Sequence, residues 1–79
     1  MPTEVRLPQW GMGMTEGEIV AWLKQVGDHV EVGEALVDVE AAKVEQELES
    51  PVAGTLVEQV AAVGDIVPIR EVVALIDED

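Results

Sequence analysis

Apolar and polar residues alternate with a period of two along most of this chain. In Val44-Glu45-Gln46-Glu47-Leu48-Glu49, an extended backbone puts Val44, Gln46 and Leu48 on one face and the three glutamates on the other. A helix would scatter those glutamates around its circumference. The same pattern predicts strands over Thr3–Leu7, Glu18–Lys24, Ala35–Glu40, Thr55–Ala61 and Val72–Ile76, with two very short ones at His29–Val32 and Ile66–Ile69. Valine is the dominant apolar residue, and β-branched side chains favour strands. Turn signals separate the runs. Val26-Gly27-Asp28 and Val63-Gly64-Asp65 read as tight turns, and Ser50-Pro51 as a strand end. Pro8–Thr15 holds a proline and two glycines without alternation and reads as a loop. Evenly spaced short strands predict an all-β sandwich or barrel.

The pattern also repeats, at an offset of 37 residues (Gly17 to Gly54). Gly17, Val20, Val26, Gly27, Asp28, Val30 and Glu34 match Gly54, Val57, Val63, Gly64, Asp65, Val67 and Glu71. Ile19 pairs with Leu56, Leu23 with Val60, Val32 with Ile69, Leu36 with Val73 and Val39 with Ile76. Two copies are too few for a solenoid. They predict one domain over residues 1–79, with half-repeats at about 17–40 and 54–77 related by a pseudo-two-fold axis. Each half covers the other's apolar face, because a few strands alone cannot bury their own. The connection Ala41-Ala42-Lys43 is about three residues long, the length of a hairpin loop. Lys43 is expected on its tip, projecting into solvent.

Composition narrows the function. The chain has 79 residues, 17 acidic and 4 basic, for a net charge of −13, and no cysteine. That length holds one domain, with neither disulfide nor thiolate metal site to staple it. The acidic balance argues against nucleic acid and against an anionic membrane surface. No apolar run reaches membrane-span length, and Met1-Pro2-Thr3-Glu4 does not open like a signal peptide. A cytoplasmic location is the expectation. One histidine (His29), one serine (Ser50) and no tyrosine leave almost nothing from which to build a nucleophilic site. No catalytic residue and no metal ligand is assigned. Glu45, Glu47 and Glu49 read as a solvated face. His29 aligns with Ile66 and reads as structural, and Trp22 as core or sheet surface.

Lys43 and Lys24 are the only two lysines. The residues alone leave two readings of Lys43. One is a surface lysine among Glu40, Glu45 and Glu47, worth little to stability. The other is an exposed amine that a modifying enzyme can reach, whose acylation would erase one positive charge. Exposure argues against a Schiff-base lysine, which needs burial.

The ordered set Leu7-Pro8, Gly11, Met14-Thr15-Glu16-Gly17-Glu18-Ile19, Trp22, Val26-Gly27-Asp28-His29-Val30, Gly33-Glu34, Val39-Glu40, Lys43, Ser50-Pro51-Val52-Ala53-Gly54 and Val63-Gly64-Asp65 resembles the lipoyl domains of the biotinyl/lipoyl carrier family. Such domains belong to the acyltransferase (E2) components of 2-oxo acid dehydrogenase complexes. The resemblance implies a flattened barrel of two four-stranded antiparallel sheets, with lipoic acid amide-linked to Lys43 between Ala42 and Val44. It implies a carrier without catalytic residues of its own, monomeric when isolated. Its implied partners are a lipoate ligase or lipoyl/octanoyl transferase, a thiamine-dependent decarboxylase (E1), the E2 catalytic domain and a flavin dehydrogenase (E3). Gln9, Trp10, Gly11, Met12, Met14 and Glu40 would serve partner recognition, with packing on the barrel the alternative for Trp10 and Met14. The implied location is cytoplasmic, or the mitochondrial matrix in a eukaryote. The tip departs from the family. Ala42-Lys43-Val44 replaces the usual Asp-Lys-Ala of lipoyl domains, and Glu40-Ala41 leans towards biotin carriers, whereas Leu7-Pro8 through Glu16-Gly17 follows the lipoyl pattern. A biotin carrier and an unmodified interaction module are the alternatives.

Overall fold

The computed structural model describes residues 2–79. Eight strands run in chain order: β1 (Thr3–Arg6), β2 (Glu16–Trp22), β3 (His29–Val30), β4 (Ala35–Ala41), β5 (Val44–Glu49), β6 (Gly54–Gln59), β7 (Ile66–Pro68) and β8 (Val72–Glu78). They form two four-stranded antiparallel sheets, ordered β1-β8-β6-β3 and β5-β4-β2-β7. The fold class is the one the alternation predicts. The main differences are at strand ends. β2 starts at Glu16, because Glu16 and Gly17 pair with Pro68 and Val67. It stops at Trp22, because Leu23 N–H and Lys24 N–H both turn to the Leu36 carbonyl (2.8 and 3.2 Å). β3 is only two residues long, since the chain turns through Gly33 at a φ of 83°.

The repeat is visible bond by bond. Gly27 N–H donates to Leu56 O (2.7 Å), and Gly64 N–H to Ile19 O (2.8 Å). Leu56 N–H donates to Asp28 O, and Ile19 N–H to Asp65 O, both at 2.9 Å. Each aspartate also accepts from a backbone N–H three residues earlier: Asp28 from Gln25 (2.8 Å) and Asp65 from Ala62 (2.9 Å). Trp22 Nε1–H reaches Ala61 O (3.0 Å), while its counterpart Gln59 reaches Lys24 O (2.9 Å). Bulges between Ile19 and Ala21 and between Leu56 and Glu58 occupy equivalent positions. The halves interleave: β3 of the first closes the sheet of β6 and β8, and β7 of the second closes the sheet of β2 and β4.

The core lies between the sheets. Ile19 and Leu56, Leu36 and Val73, Val39 and Ile76 are fully buried repeat-related pairs, joined by Val30, Val37, Val5 and Leu7. Leu23 and Val60, also repeat-related, are exposed together. The molecule measures 35 × 20 × 18 Å. The β4–β5 turn lies near Glu18 and Ile66. The C-terminal residues pair with the start of β6 and approach His29, at the other end of the long axis.

Candidate functional site

β4 and β5 are joined by two residues, Ala42 and Lys43, one fewer than the spacing suggests. Ala41 already belongs to β4, is buried, and pairs with Val44. A two-residue antiparallel hairpin needs a turn whose twist matches the strands, with positive φ at both positions. Ala42 and Lys43 adopt φ of 52° and 66°, without a glycine or asparagine to ease it. Left-handed backbone costs an ordinary L-residue roughly 1–2 kcal/mol. The flanking ladder of β4 and β5 holds the turn in this shape. It aims Lys43 outward, exposed and in no ion pair or side-chain hydrogen bond among the described residues.

Two hollows flank this turn. On one side a groove of about 330 Å³ lies between the turn, the start of β5 and the loop before β2. Trp10, Met12, Met14, Val44 and Gln46 line it, with Ala41 and Ala42 at its base. On the other side a hollow of about 190 Å³ is lined by Glu16, Glu18, Glu40, Lys43 and Ile66. Glu18, Glu40 and Glu45 sit directly opposite one another across three strands, with Asp38 and Glu47 facing each other two pairs further on. The lysine therefore stands between an apolar surface and an acidic one.

The loop is shaped by its own residues. Gly11 O accepts from Met14 N–H (3.1 Å), and Gly13 has a φ of 85°, as the third position of a type II turn requires. Met14 is buried in the core and anchors the loop. Its carbonyl accepts from the Gln9 side-chain amide (3.3 Å), and its sulfur from Trp10 N–H (3.4 Å). Met12 is fully exposed and Trp10 is 37% exposed. Of the residues expected at this end, Ala42, Lys43, Val44, Trp10, Gly11, Met12 and Met14 gather around the two hollows. Gln9 is set back as a brace for Met14, and Glu40 faces the acidic side. Sequence reasoning missed Gln46, Glu16, Glu18 and Ile66 as neighbours of the lysine. The alternation that puts Gln46 on the same face as Val44 was the available signal.

The other side chains with potential chemistry have structural partners. Ser50 is buried, and its hydroxyl donates to Val52 O (2.5 Å). His29 lies at the far end, its Nε2 at 2.8 Å from the Asp79 carboxylate. That hydrogen bond, with the charges of Asp79 and Glu31, raises its pKa above the ordinary value of 6.5. Lys24 and Glu34 pair at 2.6 Å, which raises the lysine's pKa and lowers the glutamate's. Trp22 packs against the core.

Comparison with known proteins agrees with this geometry. The model of the biotin/lipoyl attachment family, described as biotin-requiring enzyme, matches residues 3–76. The chain is 49% identical over 76 residues to the dihydrolipoyllysine-residue acetyltransferase component of the pyruvate dehydrogenase complex of Corynebacterium glutamicum, covering 96% of this chain and 11% of that protein. Its fold resembles the lipoyl domain of the 2-oxoglutarate dehydrogenase complex of Azotobacter vinelandii, with a TM-score of 0.76, 28% identity and 95% of each chain covered. It also resembles the urea carboxylase of Kluyveromyces lactis, with a TM-score of 0.84, 25% identity, and 98% of this chain against 6% of that one. With a family model spanning nearly its whole length and a lone lysine on the turn between its halves, the chain belongs to the biotin/lipoyl attachment family.

Proposed function

We propose that this chain is a lipoyl carrier domain of a 2-oxo acid dehydrogenase complex, with lipoic acid amide-linked to Lys43. The observation that carries the reading is Lys43 itself, an exposed lysine without an ion-pair partner among the described residues, on a two-residue turn whose backbone is fixed by the strands on either side. The residues present fit the group. The amine is accessible, nothing in the described structure competes for it, and the turn lies at one end of the long axis. When attached, the dithiolane supplies acyl-carrying and two-electron chemistry. The protein holds the attachment point rigid, keeps it at the tip, and raises the arm's effective concentration at each partner's active site. The acetyltransferase named above and its counterpart in the 2-oxoglutarate dehydrogenase complex of Staphylococcus saprophyticus, 45% identical over 75 residues, support placement within an E2 chain. The chain spans 11% and 18% of those two proteins, so partnership with E1, the E2 catalytic domain and E3 belongs to this proposal.

The exposed Trp10–Met12 segment and Glu40 lie beside the arm's origin, so a decarboxylase that reads this domain would touch them along with the lysine. A lipoate ligase or lipoyl/octanoyl transferase would approach the same turn. A second reading, biotin on Lys43, draws on the tip sequence Glu40-Ala41-Ala42-Lys43-Val44 and on the likeness to urea carboxylase. Intact mass of the protein after incubation with lipoate, ATP and lipoate ligase separates the readings. A single lipoyl increment, abolished in Lys43→Arg, is the expected result. Avidin capture after incubation with biotin and biotin ligase, without a lipoyl increment, would replace lipoate by biotin. No increment under either condition would leave an unmodified interaction module.

A further inference from the structure

The apolar groove beside the turn has an origin in the sheet. In an antiparallel pair, residues directly opposite each other share a face. Val39 pairs with Gln46, and Ala41 with Val44. Val39 and Ala41 are buried in the core, so Val44 and Gln46 lie on the same inward face. Yet Val44 is 53% exposed and Gln46 is exposed as well. At this end the inner face of β5 has no opposing strand, and only the Trp10–Met14 loop overhangs it. The result is core-facing surface left open beside Lys43.

We propose that this groove holds the dithiolane end of the lipoyl arm between visits to partner sites. The inference rests on the lipoyl reading of Lys43. The chemistry matches: Trp10, Met12 and Val44 offer an aromatic face, a thioether and a branched methyl surface, and sulfur–aromatic contact is favourable. Gln46 makes no side-chain hydrogen bond among the described residues, so its amide is available to the amide of the arm. A groove of about 330 Å³ is at the small end of ligand pockets, which begin near 300 Å³. That is room enough for a five-membered ring.

Charge directs the arm to this side. Lys43 lines the hollow of Glu16, Glu18 and Glu40 without an ion pair among the described residues, so their carboxylates attract its ammonium only at longer range. Amide formation removes that charge, and with it the attraction. The neutral, apolar arm then gains by covering Trp10, Met12 and Val44. Because the arm is tethered, its effective concentration at the groove is of millimolar order. Contact of millimolar strength is then enough to fill the groove about half the time, and weak enough to release the arm to a partner.

The test uses the protein labelled with 15N and with 13C in the methionine methyl groups, unmodified and lipoylated, after intact mass has established the lipoyl increment. The expected result is movement of the Trp10 indole N–H and the Met12 methyl signal on lipoylation, with nuclear Overhauser contacts from both to the dithiolane protons. In Trp10→Ala/Met12→Ala, loaded with 13C-labelled lipoate until intact mass shows the full lipoyl increment, the arm's 13C relaxation should report faster motion than in the parent protein loaded the same way. Shifts confined to Ala42–Val44, with no contact to the ring and arm motion unchanged in the double variant, would overturn the groove while leaving the carrier reading intact. Absence of any lipoyl increment would overturn both.

Discussion

Among the described residues, three non-glycine residues hold positive φ: Ala42 and Lys43 in the turn, and Arg70 at 72°, the repeat equivalent of Gly33. Arg70 donates its N–H to Leu7 O (2.7 Å) and its carbonyl accepts from Arg6, so its backbone is fixed by bonds on both sides. Ala42 has no side chain that can hydrogen-bond locally, as an asparagine or aspartate does in this region. Ala42→Asn should therefore raise the urea midpoint, by about 1 kcal/mol of stability. A lowered midpoint would mean that the turn is not left-handed at Ala42. If the shape of the turn governs modification, Ala42→Asp should raise the lipoylation rate, and an unchanged rate would sink that idea. His29 supplies a pH effect. Because its pKa is raised in the fold by Asp79, its contribution is fully present below its ordinary value of 6.5 and is lost as pH rises through the elevated folded value. An NMR titration of the imidazole should show a midpoint above 6.5 that falls in Asp79→Asn. Glu34 acts in the opposite sense: its pKa is lowered by Lys24, so its contribution fades only as pH falls through the depressed value.

Among the elements, the two bulged strands explain why plain alternation is imperfect. In β2, the bulge after Ile19 takes Val20 out of register, and Ala21 and Trp22 become half-buried neighbours rather than an in-and-out pair. β6 repeats this at Val57. Gly17 and Gly54 open the equivalent strands for a steric reason. A Cβ on Gly17 would stand 2.6 Å from a Val39 methyl, and one on Gly54 would run into the backbone of Asp77. The clash at Gly17 is with one side-chain methyl, whereas the β8 backbone cannot move without breaking its pairing with β6. Gly54→Ala should destabilise by about 1–3 kcal/mol or more, and by more than Gly17→Ala, in chemical denaturation. Equal losses would argue that β8 shifts freely. The hairpin length shows the limit of counting residues: Ala41 could not be assigned to strand or loop until its pairing with Val44 was visible. β5 is an edge strand, and Glu45, Glu47 and Glu49 on its outer face discourage pairing with another sheet.

At the scale of the molecule, the charge of −13 is not spread evenly. The row Glu18–Glu40–Glu45 and the pair Asp38–Glu47 put like charges in register on one sheet, and directly opposed like charges destabilise a sheet. Screening falls within about 8 Å at near-physiological salt, so these contacts are softened by added ions. The thermal midpoint should rise with NaCl, by about 4–8 °C if the relief is near 1 kcal/mol. A midpoint that falls with salt would show that the attractive pairs, such as Lys24–Glu34, outweigh the crowded carboxylates. The long axis matters as well. The lysine turn lies at the opposite end from Thr3, His29 and Asp79, so a partner holding the domain at that far end leaves Lys43 facing outward.

The sequence by itself determined the strands, the two-fold repeat and the position of Lys43 at the junction of the halves. These are local or translational properties: alternation fixes which face a residue takes, and a 37-residue offset is countable without coordinates. Only the tertiary structure decided how the halves interleave, because strand exchange between β3 and β6 and between β2 and β7 depends on contacts distant in sequence. It alone decided the left-handed turn at Ala42 and Lys43, which those residue types do not prefer and which the flanking ladder imposes. It also separated Met14 from Met12: the same residue type two positions apart is buried anchor and open surface, because only one of them reaches the gap between the sheets. The uncovered inner face of β5 belongs to the same class. Val44 and Gln46 follow the core pattern in sequence, and they are exposed because the opposite sheet has no strand to cover them there.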